Sequence, residues 1–153
     1  MRLFSERCTS GASLVACVLA ACFAGGCGGG GGGVTVVDKG NFNDTVLAAR
    51  QPVLVDFYKT GCPTCIPLDS TFEDLTKEYQ GRAVIAKFEI LNPVFLSPAP
   101  EIKQKYDIAL VPTVILFVNG EAKKRWVSVY GAESYRRALD DALATQTATQ
   151  PTK

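Results

Sequence analysis

Residues 52–65 read Pro52-Val-Leu-Val-Asp-Phe-Tyr58, then Lys59-Thr-Gly-Cys62-Pro63-Thr64-Cys65, and the fold turns on that join. The first half is a nearly continuous apolar run, as in a strand buried on both faces of a parallel sheet. A carboxylate at Asp56 inside such a run is conspicuous, because an ionised group is costly to bury without a partner. The second half sets two cysteines three residues apart where strand gives way to helix. Ile66, Leu68, Phe72, Leu75 and Tyr79 recur at close to helical spacing. They predict a helix over residues 63–79, with Gly81 ending it and Pro63 at its first position, where a missing N–H costs nothing. Pro67 would then lie within the helix and kink its axis.

That placement gives the cysteines their chemistry. Free N–H groups and the dipole at a helix start stabilise a thiolate at Cys62, and the thiolate is the form that attacks disulfides. Cys65, nearly one turn on, would resolve the mixed disulfide that results. A zinc site needs four ligands, and the chain has no histidine and no second Cys-x-x-Cys pair, so no metal is expected. A purely structural disulfide closing so small a loop would constrain the unfolded chain little.

Outward from this centre, Val34-Thr-Val-Val37 is a short β-branched run, and Asn41 or Asn43 can cap a helix running to about Ala49. Ala83 to Ile90 reads as a strand and Leu91 to Pro100 as a proline-rich loop. Val94, Phe95 and Leu96 in that loop are expected to fold back on the core, with a partner surface as the alternative. Pro100 can open a short helix through about Tyr106. Thr113 to Val118 and Glu121 to Tyr130 flank Asn119-Gly120, a strong hairpin signal. Glu133 to about Thr145 forms a last amphipathic helix, and 146–153 reads as a frayed, flexible tail. The order βαβαβαββα implies an α/β sandwich with a mixed central sheet, helices on both faces, and a ligand side at the carboxyl end of the strand that finishes near Tyr58.

The N-terminus reads as an address. Arg2 and Arg7 precede an apolar stretch from Gly11 to Ala21, too short to span a bilayer comfortably and patterned as a secretory signal. Leu19-Ala-Ala-Cys22 and Ala24-Gly-Gly-Cys27 both resemble the bacterial lipobox. Leu19, three places before Cys22, favours Cys22 as the lipidated residue. Cys27 is the alternative, because the glycine run begins directly after it and no stray thiol is left. Residues 1–27 are therefore set apart as leader, and Gly28 to Gly33 as a tether spanning only ~13 Å. The expected location is outside the cytoplasm, in a bacterial cell envelope, membrane-anchored and facing the periplasm or the extracellular side.

Residues 34–145 then form one domain, since 153 residues leave no room for a second. An apolar share of 47% and a charged share of 20% are those of a globular chain. Without residues 1–27, which hold Arg2, Glu6 and Arg7, the chain keeps 14 basic and 14 acidic side chains. That balance argues against nucleic acid as a partner. The one basic run, Lys123 to Arg125, reads as charge protecting a strand edge.

Val53-Leu-Val-Asp-Phe-Tyr58, the Cys62 to Cys65 motif, Glu78-Tyr-Gln-Gly81, Lys87, Val111-Pro112-Thr113 and Asn119-Gly-Glu121 together resemble thioredoxin, in the same order across residues 34–145. The resemblance implies a thioredoxin-like fold and a protein-disulfide oxidoreductase that needs no cofactor, acts on protein disulfides and draws electrons from another protein. It makes Pro112 a cis-proline facing the dithiol, with Val111 offering backbone groups to an extended substrate beside Gly61, Pro63 and Thr64. Asp56 matches the family's buried carboxylate beneath the resolving cysteine, and Lys87 its neighbour on the next strand. Burial would raise the Asp56 pKa and let it take and return the Cys65 proton; the alternative is a carboxylate satisfied by Lys87 with no catalytic part. Three departures stand out: Gly61 replaces the family's tryptophan, the segment from Leu91 to Pro100 is longer, and Pro63-Thr64 replaces Gly-Pro. This last pair resembles exported reductases of cytochrome c maturation, and it points, with the absence of histidine between the cysteines, to the reducing direction. An oxidase or isomerase is the near alternative, and a non-catalytic binding or chaperone-like module the more distant one.

Overall fold

A computed structural model of the chain describes residues 33–91, 96–128 and 131–149. The leader, Cys22, Cys27, most of the tether, Val94, Phe95 and the last four residues lie outside them. In chain order the elements are β1 (Thr35–Val37), a π-helical turn (Asn43–Leu47), β2 (Val53–Lys59), α1 (Ile66–Glu78), β3 (Val84–Leu91), α2 (Pro100–Lys105), β4 (Thr113–Val118), β5 (Glu121–Val127) and α3 (Ala132–Thr149). The strands form one sheet in the order β1-β3-β2-β4-β5. β1 and β2 run parallel to β3, while β4 runs antiparallel to both β2 and β5.

The sheet is mixed because of its connections. The crossover through α1 returns the chain parallel, whereas Asn119-Gly120 turns it straight back. Both hairpin residues have positive φ, 52° and 77°, which suits the right-handed twist of the flanking strands. β2 lies between β3 and β4, so Val53, Leu54, Val55 and Phe57 are fully buried. Alternation along β2 divides the core in two. Val53, Val55 and Phe57 pack with Phe42, Phe88, Ile102 and Phe117; Leu54 packs on the other face with Leu68, Phe72 and Leu75 of α1 and Tyr135 and Leu139 of α3. The carboxyl end of β2 and the start of β4 meet at one end of the sheet, where Phe57 pairs with Thr113.

Several local expectations differ from the structure. Asn41 does not cap a helix to Ala49. Its side chain accepts from the Asp38 amide and donates to the Val36 carbonyl, and the turn that follows is only five residues long, with no side-chain cap. α1 begins at Ile66 and not at 63. In a helix from 63, Pro67 would lack an N–H for the carbonyl four residues back and its ring would clash there. Starting at Ile66 puts Pro67 in the first turn, where neither cost arises. Ile66 itself is 66% exposed, so it is no part of the helix's apolar face. β5 ends at Val127, and α3 continues to Thr149, through four residues assigned to the frayed tail. The Gln146 amide accounts for part of that extension by donating to the Arg50 carbonyl. Leu96 is 65% exposed, so at that residue the loop does not fold back on the core. Lys123, Lys124 and Arg125 are exposed on β5, an edge strand, as expected of charges that block edge pairing.

Candidate active site

The chain leaves β2 at Lys59 and reaches α1 through a series of turns that carry both cysteines. The Cys62 amide donates to the Lys59 carbonyl at 3.2 Å, the Cys65 amide to the Cys62 carbonyl at 3.1 Å, and the Leu68 amide to the Cys65 carbonyl at 3.0 Å. Cys65 is thus the N-cap of α1, and Cys62 lies one turn before the helix instead of at its first residues. The two form a disulfide, with Cα atoms 5.4 Å apart. Cys65 is 6% exposed whereas Cys62 is only half-buried, so a second protein can approach Cys62 and is kept from Cys65. Gly61, at φ +75°, has nothing within 4 Å of where a Cβ would stand, which leaves that side of the pair open.

Thr64, expected at the substrate surface, turns back on the cysteine. Its Oγ1 lies 3.1 Å from Cys62 Sγ. A disulfide sulfur carries no proton, so the hydroxyl is the donor. The same bond strengthens when the acceptor becomes a thiolate. Pro63 is exposed, as is Leu110. The Val111–Pro112 peptide is cis, and its position just before Thr113 puts it at the end of the sheet where β2 finishes. The Pro112 carbonyl accepts from the Ser128 amide at 2.9 Å, and Thr113 Oγ1 donates to the Leu110 carbonyl at 2.6 Å. Val111 is half-buried.

Asp56 lies on the face of the sheet that α1 covers and is 1% exposed. Its Oδ1 has no hydrogen-bond partner among the described residues. Burial, the largest influence, raises its pKa from 3.8 to about 7; Lys87 pulls it down, and Asp69 pushes it up. Lys87 is its register partner on β3, as the sequence implied. The ammonium nonetheless forms its ion pair with Asp69 of α1 and lies 4.8 Å from the centre of the Tyr58 ring. Asp56 is therefore not a carboxylate satisfied by Lys87. Asp69 was missed in the sequence. The signal was its place four residues after Cys65, which puts it above the cysteine on one helix face.

Among the described residues no three histidine, cysteine, aspartate or glutamate side chains gather to hold a metal, and no helix is long and apolar enough to cross a membrane.

The thioredoxin family model matches residues 33–143. A thioredoxin of Rickettsia bellii is 36% identical over 99 residues, 65% of this chain and 88% of that protein. One of Mycolicibacterium smegmatis is 33% identical over 110 residues, 72% of this chain and 94% of that protein. A bifunctional thioredoxin reductase/thioredoxin of Mycobacterium leprae is 31% identical over 112 residues, 72% of this chain but only 23% of that protein. A reactive pair at the end of a central strand, a five-stranded mixed sheet behind it, and likeness over most of two whole thioredoxins lead to one assignment: the chain belongs to the thioredoxin family, and Cys62 and Cys65 are the redox pair of a thiol-disulfide oxidoreductase.

Proposed function

We propose that the chain is an exported, membrane-tethered reductase of protein disulfides. The unequal exposure of the two cysteines carries the thiol-exchange part of the reading, since it supports Cys62 as the attacking residue and Cys65 as the resolving one. The Cys62 thiolate attacks a substrate disulfide, and one substrate sulfur leaves as a thiolate. The Cys65 thiol passes its proton to the Asp56 carboxylate, and the Cys65 thiolate then attacks Cys62 Sγ. The second substrate sulfur leaves and takes back a proton. The substrate has gained two electrons, and the protein is left with its Cys62–Cys65 disulfide. Val111, held beside the cis-Pro112 at the same end of the sheet, offers backbone groups to the extended substrate. Gly61 and Pro63 leave room for it.

The disulfide is restored to a dithiol by a second protein. The reductase joined to thioredoxin in the Mycobacterium leprae relative supports a donor of that class. The reducing direction is supported by Pro63-Thr64 and by the absence of histidine between the cysteines. Export and anchoring are supported by the basic head, the short apolar stretch, the small residues before Cys22 or Cys27, and the glycine run. With the lipid on either cysteine, the tether keeps the domain close to the membrane and on its outer side.

The test is a Cys65→Ser chain expressed in full. It should accumulate mixed disulfides through Cys62 with envelope proteins, and the wild-type chain should carry an acylated N-terminal cysteine by mass. Trapping of cytoplasmic proteins only, together with an unmodified N-terminus, would contradict the reading.

A further inference from the structure

We propose that Asp69 is a positioning residue: it holds the Lys87 ammonium against α1, keeps it from closing an ion pair with Asp56, and so leaves Asp56 able to take the Cys65 proton. The inference rests on the proton-acceptor role of Asp56 proposed above, but the geometry that carries it is independent of that role.

In a parallel pair, side chains at matched positions stand on the same face. Asp56 and Lys87 are matched in this way, and an ion pair between them is the arrangement their positions invite. The ammonium instead pairs with Asp69 Oδ1, and Asp56 Oδ1 is left without a hydrogen bond. Lys87 has a choice of partners because its stem is long and its head is only partly enclosed. Its side chain is 23% exposed and that of Asp69 47%. Both border a cavity of about 420 Å³ that is also lined by Gly33, Val34, Glu73 and Lys77. Asp69 wins the ammonium because pairing at this wetter edge spares Lys87 the desolvation that a pair with a buried carboxylate would require.

The consequence concerns the proton. Closed onto Asp56, the ammonium would keep that carboxylate ionised to lower pH and make it a weaker base for a thiol. The charged groups that act on Asp56 are Lys87 from β3 and Asp69 from α1. Tyr58, on the same strand and face, is itself held protonated, first by burial and then by Glu89 of β3. Cys65 is the buried N-cap of α1, the helix that covers this face. Glu73, one turn beyond Asp69, is the other carboxylate bordering the cavity and the competitor for a freed Lys87.

The test is the titration of the Asp56 carboxyl, followed by carbon-13 NMR in the reduced full-length chain and assigned with Asp56→Asn. Asp69→Asn should lower the Asp56 midpoint by about one unit or more as Lys87 closes on it, while Asp69→Glu should keep it near wild type. In a Lys87→Met background, or Lys87→Gln where methionine disturbs folding, Asp69→Asn should move the midpoint far less. An unchanged midpoint in Asp69→Asn, or an equal shift with and without Lys87, would overturn the proposal. The titration needs no turnover. A chain that lacks reductase activity yet shows the expected shifts sinks only the functional reading, and an active chain that lacks the shifts sinks only this one.

Discussion

At Asp56, burial and chemistry pull in opposite directions. A carboxyl whose pKa is raised from 3.8 in the unfolded chain to about 7 in the folded one leaves stability undiminished at pH below the first value. Stability then falls as pH rises toward the second, because the unfolded chain ionises first. A rise of that size is worth about 4 kcal/mol. Asp56→Asn should remove this pH dependence and stabilise the chain above about pH 7 by an amount of that order, measured by denaturant unfolding. The same change should slow release of substrate from the mixed disulfide by about a hundredfold in single-turnover kinetics, the usual worth of a positioned base. A wild-type rate that falls below about pH 7 would identify the carboxylate as the working form. At Thr64 the sign runs the other way. Its hydroxyl donates to Cys62 Sγ and would stabilise a thiolate there once the pair is reduced, so Thr64→Val should leave less thiolate at neutral pH and make the reduction potential more negative. Thr64→Ser, which keeps the donor, should stay near wild type. The ultraviolet absorbance of the thiolate reads both.

Among the elements, the β4–β5 hairpin is held to the opposite corner of the domain by its turn. Gly120 has φ +77°, and a Cβ there would stand 2.4 Å from the carbonyl oxygen of Leu47 at the end of the π-helical turn. Gly120→Ala should therefore cost about 2 kcal/mol or more, from backbone strain and overlap together, with the dithiol chemistry intact at moderate temperature. The hairpin was legible in the sequence because two residues at a fixed spacing determine it. So was β2, whose burial on both faces shows as an unbroken apolar run. The start of α1 was misplaced because Pro63 and Pro67 both suit a first turn and only one can occupy it. The helix expected from Asn41 or Asn43 to about Ala49 is shortened to the turn Asn43–Leu47, with Asn41 and Asp38 making local bonds that compete with helical ones. At the site, the cysteines, the cis-proline and the buried carboxylate could be read from motif and order. The partners of Thr64 and Lys87 could not, because side-chain pairing depends on where two elements cross in space, and spacing along one element does not record that.

For the whole molecule, the two faces of the sheet have separate work. One is packed with Phe42, Phe57, Phe88 and Phe117 and serves as apolar foundation. The other carries α1 and α3 and the polar cluster of Asp56, Lys87 and Asp69. Reactivity thus rests at a sheet end stiffened by β3 and β4 on either side of β2, while Cys62 and Gly61 remain open to a partner protein. Cys62 and Cys65 are the redox pair, and the reductase proposed above requires them to form a reversible couple poised to reduce. The most direct measurement is the reduction potential of the full-length chain, equilibrated in graded glutathione or dithiothreitol buffers and read by alkylation and mass. A single two-electron couple near about −270 mV is predicted; a value near about −120 mV would make the protein an oxidant, and the absence of a reversible couple would contradict the claim altogether.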